Sequence, residues 1–102
     1  MARLIAMYKT PKDTKAFDDY YYTKHVPIAK KVPGLTGYEV NSGAVNALGG
    51  PSPYYLIATL SFESMGSLQS ALQSPEGVAT AQDLGNFATG GVDIYVFEQK
   101  TI

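Results

Sequence analysis

The chain has no cysteine and no tryptophan, and charged residues make up only 17% of it. The absence of cysteine excludes disulfides, thiolate metal ligands and cysteine nucleophiles, and it fits a reducing compartment. A formal net charge of -1 provides no basic surface for nucleic acid or for an anionic membrane. We therefore expect neither of these partners.

Long apolar runs are also missing. The run from Ala2 to Tyr8 is too short for a signal peptide, and polar residues follow it from Lys9 onward. No segment approaches the ~18 apolar residues that a membrane-spanning helix needs. The expected location is the cytoplasm.

The patterns that hold common cofactors are missing as well. One histidine, His25, without any cysteine cannot make a self-contained transition-metal site. No glycine-rich phosphate loop follows a strand, so a nucleotide cofactor is not expected either. Haem ligation by the one histidine is a remaining alternative. With 102 residues, the chain holds a single core and one domain, residues 1–102.

Hydrophobic periodicity predicts a strand followed by a helix in the first third of the chain. Ala2 to Lys9 is rich in strand formers, and Asp13 is a plausible N-cap for the helix. The apolar stripe of that helix consists of Phe17, Tyr21, His25 and Ile28.

A proline interrupts this predicted helix. Pro27 cannot donate to the Thr23 carbonyl, and its ring disfavours helical geometry at Val26. We expect the helix to kink or restart between His25 and Pro27, and to stop at Pro33–Gly34.

The rest of the chain predicts three strands and a second helical region. The N-caps of that region are Ser64 and Ser74, and it is expected to end at Gly90–Gly91. The strands are Leu35–Asn46, Tyr54–Glu63 and Val92–Gln99. The order strand, helix, strand, strand, helix, strand predicts an α+β, ferredoxin-like fold. It is a four-stranded antiparallel sheet with two helical regions on one face.

The strands carry apolar side chains on both faces, which predicts a partner. In the third strand, Tyr54 and Leu56 to Phe62 at alternate positions face one way, and Tyr55 and Ile57 face the other. Two helices cover only one face, and leaving the second in water forgoes several kcal/mol at ~25 cal/mol per Å². We expect a homodimer that packs sheet against sheet about a two-fold axis. A monomer with a solvated apolar face is the alternative.

His25 is the first candidate for a functional group. Its place on the apolar stripe is expected to direct the imidazole into the space between helix and sheet, where it could act as a general acid or base. A structural histidine that donates to a main-chain carbonyl is the alternative. Burial and the nearby helix end act on its pKa in opposite directions, so the sequence leaves its protonation state open.

Tyrosine and amide side chains are further candidates. Hydroxyls of Tyr20, Tyr21 and Tyr38 are predicted to line a cavity and orient a ligand, whereas Tyr22 is expected to be exposed or at the dimer edge. Asn86 and Phe87, near the end of the last helix, are predicted ligand contacts as well. The alternatives are ordinary packing for the tyrosines and a helix-end hydrogen bond for the amide.

Two stretches of the chain resemble the EthD family, named for a protein encoded with an ethyl tert-butyl ether degradation system. They are "FDDYYYTKHVPIAKKVPGLTGYEV" and "ALQSPEGVATAQDLGNFATGG". The matching motifs are "HVP" at 25–27, "PGL" at 33–35, "ALQSPEG" at 71–77 and "DLGNFATGG" at 83–91. The resemblance implies a dimeric α/β barrel. It also implies kinship with muconolactone isomerases, cofactor-free monooxygenases, polyketide-tailoring decarboxylases and haem-handling proteins.

Three functional hypotheses follow. The first is a cofactor-independent isomerase, decarboxylase, dehydratase or oxidoreductase of a catabolic or tailoring pathway, acting on a small hydrophobic or aromatic metabolite with His25 as acid or base. The second is a non-catalytic binding or accessory protein of an oxygenase system. The third is a structural dimer without a ligand. A polar partner on His25 favours the first, and a helix–sheet space filled by Phe17 and Phe87 favours the third.

Overall fold

The computed structural model describes residues 1–102 and contains six strands. They are β1 (Ala2–Lys9), β2 (Gly37–Val40), β3 (Asn46–Ala47), β4 (Gly50–Pro51), β5 (Tyr54–Phe62) and β6 (Val92–Glu98). The four long strands form one antiparallel sheet in the order β2–β5–β1–β6, and β3 pairs with β4 as a separate small hairpin. This is the ferredoxin-like arrangement, and the predicted α+β fold is confirmed.

The helical regions lie together on one face of the sheet. They are α1 (Thr14–Tyr20), a π-helical segment (Tyr21–His25), α2 (Val26–Ala29), α3 (Met65–Gln73), α4 (Pro75–Asp83) and a 3₁₀ turn (Leu84–Asn86). The side chains of Asp13, Ser64 and Ser74 each accept a first-turn amide at 3.0 Å, so all three predicted N-caps are confirmed. None of the helices combines the length and apolar composition that crossing a bilayer requires.

The interruption expected before Pro27 takes the form of the π-helical segment. There the N–H of Val26 donates to the carbonyl of Tyr21, five residues earlier. A proline ring collides with the carbonyl four residues before it in a regular α-helix, and the wider π turn relieves that collision. The chain therefore stays helical through Pro27, and α2 ends at Ala29 rather than at Pro33.

One predicted strand and one predicted helical region extended further than the observed elements. The second strand was expected to reach Asn46, but β2 ends at Val40 because Asn41 leaves the ladder. Its side-chain oxygen accepts the Ile57 N–H at 2.8 Å, in place of a main-chain carbonyl. Likewise, α4 ends at Asp83 and passes into the 3₁₀ turn, well before Gly90–Gly91.

A β-bulge reverses the predicted sides of two tyrosines. Tyr8 pairs with Leu56 and Lys9 pairs with Tyr54, so Tyr55 is an extra residue in β5. Tyr55 therefore turns to the helix face, where its ring meets Phe17 edge-on at 5.4 Å. Tyr54 turns to the opposite face and donates to Asp93 at 2.8 Å. The expected assignment of these two side chains was wrong.

The core lies between the helices and the inward face of β1 and β5. Its buried members include Leu4, Ala6, Tyr8, Leu56, Ala58, Leu60, Phe62, Phe17, Tyr21, Leu68 and Phe87. The opposite face of the sheet has no helix over it. Ile5 and Ile57 on that face are half-buried by their neighbours, whereas Tyr95 and Phe97 are 60% and 44% exposed. Apolar side chains therefore occupy both faces of the sheet.

The main chains of α3 and α4 approach each other closely at Gly77. A Cβ at this position would lie 2.0 Å from the carbonyl oxygen of Ala71, so a larger residue must displace main chain. We expect Gly77→Ala to lower the free energy of unfolding by about 1–3 kcal/mol, measured by urea denaturation at fixed protein concentration. At Gly85 an added Cβ meets nothing within 4 Å. Gly85→Ala is therefore the control that should leave stability unchanged or slightly raised, and equal losses in both variants would contradict this packing.

Candidate functional site

An apolar cavity of about 150 Å³ separates the helices from the sheet, and 15 of its 18 lining residues are hydrophobic. Its floor consists of Leu4, Ala6, Tyr8, Ala58, Leu60 and Phe62 from β1 and β5. On the β6 side it opens past Ile94 and Val96, which are each 45% exposed. Phe17 and Phe87 pack in the core beside this cavity without being among its lining residues, so these rings leave it open.

His25 lies in the roof of this cavity and is only 3% exposed. Its ring packs on Phe87, with centroids 4.6 Å apart, and its Nδ1 lies 2.8 Å from Oδ2 of Asp83. The other ring nitrogen, Nε2, has no partner in the protein. Every fully buried side-chain nitrogen or oxygen does have a partner. Nε2 therefore keeps some accessible surface, and the cavity is the space that His25 lines.

Asp83 holds the imidazole from behind and is itself 6% exposed. Oδ2 contacts His25, and Oδ1 accepts the Tyr20 hydroxyl at 2.6 Å and the Asn86 amide at 2.9 Å. Three donors thus satisfy a carboxylate that would be costly to bury alone. No group of three histidine, cysteine or acidic side chains in the chain is placed to hold a metal ion.

The π-helical segment explains why Tyr20 and His25 reach the same carboxylate. They are five residues apart, and in a regular helix with 3.6 residues per turn such positions point roughly 140° away from each other. A π-helix closes its hydrogen bonds between residues five apart, so the two side chains come close to one line along the helix. The local backbone is therefore what assembles the cluster on Asp83.

The surroundings fix the charges of the pair. Burial lowers the pKa of His25 below its ordinary value of 6.5, and the hydrogen bond that His25 donates to Asp83 only partly offsets this. For Asp83, burial alone would raise the pKa, but the hydrogen bonds from Tyr20, Asn86 and His25 outweigh it and the pKa is lowered. At neutral pH the carboxylate is ionised and the imidazole is neutral. Its Nδ1–H donates to Asp83, which leaves Nε2 as a lone-pair acceptor in the cavity.

Tyrosine hydroxyls supply further polar groups of the cavity, beside the Thr80 hydroxyl, which donates to the Glu76 carbonyl at 2.8 Å. The hydroxyls of Tyr21 and Tyr38 are 2.6 Å apart, and both residues belong to the lining. Burial is the main cause that raises the pKa of both, as it does for Tyr8 on the floor. All three phenols therefore stay protonated at neutral pH and can donate hydrogen bonds.

The predicted site residues divide into two groups. His25, Tyr21 and Tyr38 lie in the cavity lining. The other three residues, Tyr20, Asn86 and Phe87, lie outside the lining. The side chains of Tyr20 and Asn86 donate to Asp83, and the ring of Phe87 packs against the imidazole. Tyr22 is 49% exposed.

Sequence reasoning missed two residues of the site. Asp83 is one of them, because no pattern in one sequence joins it to a histidine 58 positions away. Tyr8 was treated as a strand residue, although a buried tyrosine needs a partner for its hydroxyl. That requirement was the available signal.

Comparisons with known proteins agree with this fold. The family model of the EthD domain matches residues 9–91. An uncharacterised 11.0 kDa protein of the thcB-thcC intergenic region of Rhodococcus erythropolis is 37% identical over 103 residues, which cover 100% of this chain and 98% of the relative.

Two solved structures are also similar. An EthD family protein from Bacillus halodurans C-125 has a TM-score of 0.89 at 34% identity, over 98% of this chain and 99% of that one. A dimeric ferredoxin-like protein from Thermobifida fusca has a TM-score of 0.69 at 14% identity, over 96% and 90% of the two chains. At that identity the second likeness concerns the fold.

The lowered pKa of His25 predicts how stability depends on pH. An unfolded chain binds a proton on this histidine near pH 6.5, whereas the folded chain resists it to lower pH. The contribution of the neutral His25 imidazole to the free energy of unfolding is therefore complete above pH 6.5. It is lost as the pH falls toward the pKa of His25 in the folded chain. We expect urea midpoints of the native chain to decline below pH 6.5 and those of His25→Gln to decline less. Parallel declines would contradict the burial of a neutral imidazole.

Proposed function

The chain belongs to the EthD family, and on that premise we propose that it binds a small hydrophobic or aromatic metabolite in its cavity and moves a proton on it. The observation that carries the proposal is the His25–Asp83 pair, with Nδ1 and Oδ2 2.8 Å apart and Nε2 open to the cavity. A base held by a buried orienting carboxylate is the arrangement that proton transfer requires.

Each group near the pair has a distinct proposed role. Nε2 of His25 takes a proton from the bound ligand, and Asp83 stabilises the imidazolium that forms before the proton is returned. Tyr20 and Asn86 hold Asp83, and Phe87 supports the ring of His25. Tyr21 and Tyr38, whose hydroxyls face each other in the lining, orient the ligand. None of these steps draws on a metal or a nucleotide cofactor.

Reactions that consist of proton transfers fit this site best. Isomerisation, decarboxylation, dehydration and oxygenation of an activated carbanion all begin or end with such a transfer, and the proposed setting is a catabolic or tailoring pathway. A non-catalytic carrier or accessory protein of an oxygenase system is the alternative. That alternative needs only an apolar cavity, and it does not explain why a buried carboxylate contacts the imidazole.

Solvent exchange on a carbon acid tests the proton transfer. Indan-2-one is an uncharged ring ketone with acidic α-protons, and in D₂O their loss is followed by proton NMR. We expect saturable acceleration by the native chain and a loss of about 100-fold or more in His25→Gln, with a substantial loss in Asp83→Asn as well.

Asp19→Asn is the matched control for the carboxylate variant. Asp19 contacts Lys15 at 3.0 Å on the surface, with side chains 69% and 86% exposed, and should not affect exchange. Full exchange by a folded His25→Gln protein, or no exchange by the native chain, would contradict the proposed chemistry.

We further propose that two copies of the chain pack through the sheet face that no helix covers. Ile5, Met7 and Ile57 line that face, with Tyr95 and Phe97 from β6 beside them, the last two being 60% and 44% exposed. Apolar area of this kind is stabilised by a second copy related by a two-fold axis. The Thermobifida fusca protein described as dimeric and ferredoxin-like shares the fold.

Charge placed on this face tests the dimer. We expect Tyr95→Lys/Phe97→Lys to convert the dimer to a monomer, because desolvating two ammonium groups opposes association. Sedimentation velocity or light scattering gives the mass. Val78→Lys, on the 44% exposed outer side of α4, should leave the dimer intact. A native chain that is monomeric, or a double variant that still dimerises, would refute this interface.

A further inference from the structure

The hydroxyl of Tyr8 is a polar group for which the protein provides no partner. Tyr8 is 2% exposed, and its ring is enclosed by Phe17, Tyr21 and Phe87 at centroid distances of 5.5 to 5.6 Å. Because no fully buried side-chain oxygen lacks a hydrogen bond, the unpartnered hydroxyl keeps some accessible surface, and the cavity is the space that Tyr8 lines. A buried donor aimed into an apolar space indicates a ligand acceptor.

Tyr8 differs in this respect from the other phenols of the cavity. Tyr21 and Tyr38 face each other at 2.6 Å, so one of their two protons is used between them. The proton of Tyr8 is entirely available. The rings of Tyr8 and His25 both pack on Tyr21 and Phe87, at centroid distances of 4.6 to 5.7 Å among these contacts and that of Tyr21 with Phe87. Tyr8 therefore lies on the side of the cavity where the His25–Asp83 pair is found.

The absence of lysine, arginine, aspartate and glutamate from the lining restricts the charge that a ligand can carry. No lysine, arginine, aspartate or glutamate is among the 18 lining residues. A carboxylate or phosphate would lose its hydration there without a counter-ion, which is costly. A cavity of about 150 Å³ accommodates a molecule with a six-membered ring. The site therefore favours a small uncharged ligand.

We propose that Tyr8 recognises the carbonyl oxygen of a small uncharged ring ketone, lactone or aldehyde, with the α-carbon of that ligand turned toward His25. This inference rests on the proposed function, and it adds the substrate class and the group that recognises it. The α C–H bond breaks and its proton passes to Nε2 of His25. The electron pair forms the C=C bond of an enolate, and the carbonyl π pair moves to the oxygen that Tyr8 hydrogen-bonds. Return of the proton to carbon completes an isomerisation or an exchange, with no oxidant or reductant needed.

A pair of isosteric ligands tests the recognition directly. Cyclohexanone and methylenecyclohexane have nearly the same shape, but only the ketone accepts a hydrogen bond. Binding is followed by ¹H–¹⁵N NMR shifts of the native chain and of Tyr8→Phe, which loses no intramolecular hydrogen bond and should fold. We expect Tyr8→Phe to lower the affinity for the ketone about fivefold. The affinity for the hydrocarbon should be unchanged or higher. Cyclohexanecarboxylate should not compete.

The control is Tyr55→Phe, whose hydroxyl contacts Asp18 at 2.9 Å and lies outside the cavity. It should bind both ligands as the native chain does. Equal ketone affinity in the native chain and Tyr8→Phe would overturn the inference and leave Tyr8 bonded to cavity water only. So would carboxylate binding in the cavity.

The two proposals fail in different ways. Ketone binding that depends on Tyr8, without any α-proton exchange by the native chain, would support the recognition and contradict the proposed catalysis. Exchange that requires His25, with ketone affinity indifferent to Tyr8→Phe, would contradict the recognition alone.

Discussion

The hydrogen bond between His25 and Asp83 joins the two helical regions above the sheet. It spans 58 positions of sequence, both partners are buried, and a buried carboxylate without donors would cost several kcal/mol. The bond therefore stabilises the packing of the first helical region on the last, and it selects the imidazole tautomer. Because the roof of the cavity consists of these same helices, the architecture and the chemistry of the site depend on one contact.

Much of the fold was predictable, because the signals that define it are local. β1 and the three helix caps depend on neighbours within a few residues, and they lie where their patterns place them. The errors in the predicted strands arose from contacts between residues far apart in the sequence. The bulge at Tyr55 follows from pairing with β1, and the end of β2 follows from an Asn41 side chain that replaces a main-chain acceptor.

The site was predictable in part for the same reason. The helical stripe placed His25 and Tyr21 inward, since periodicity determines which side of a helix is buried. Periodicity does not determine which residues of distant elements meet. The carboxylate that orients the imidazole comes from α4, and the unpartnered phenol comes from β1. Both become apparent only when the donors and acceptors of buried side chains are counted across elements.

The π-helical segment makes the number of residues between Tyr20 and His25 a requirement of the site. A single deletion between Tyr20 and His25 would leave the two side chains four residues apart, which a regular α-helix also places near one line. The regular turn would however restore the collision between the Pro27 ring and the carbonyl four residues before it, so only the five-residue spacing in a π turn serves both the carboxylate and the proline. Selection on this region must therefore act on the spacing of residues as well as on their identities, and gap placement in an alignment of related chains should be informative there.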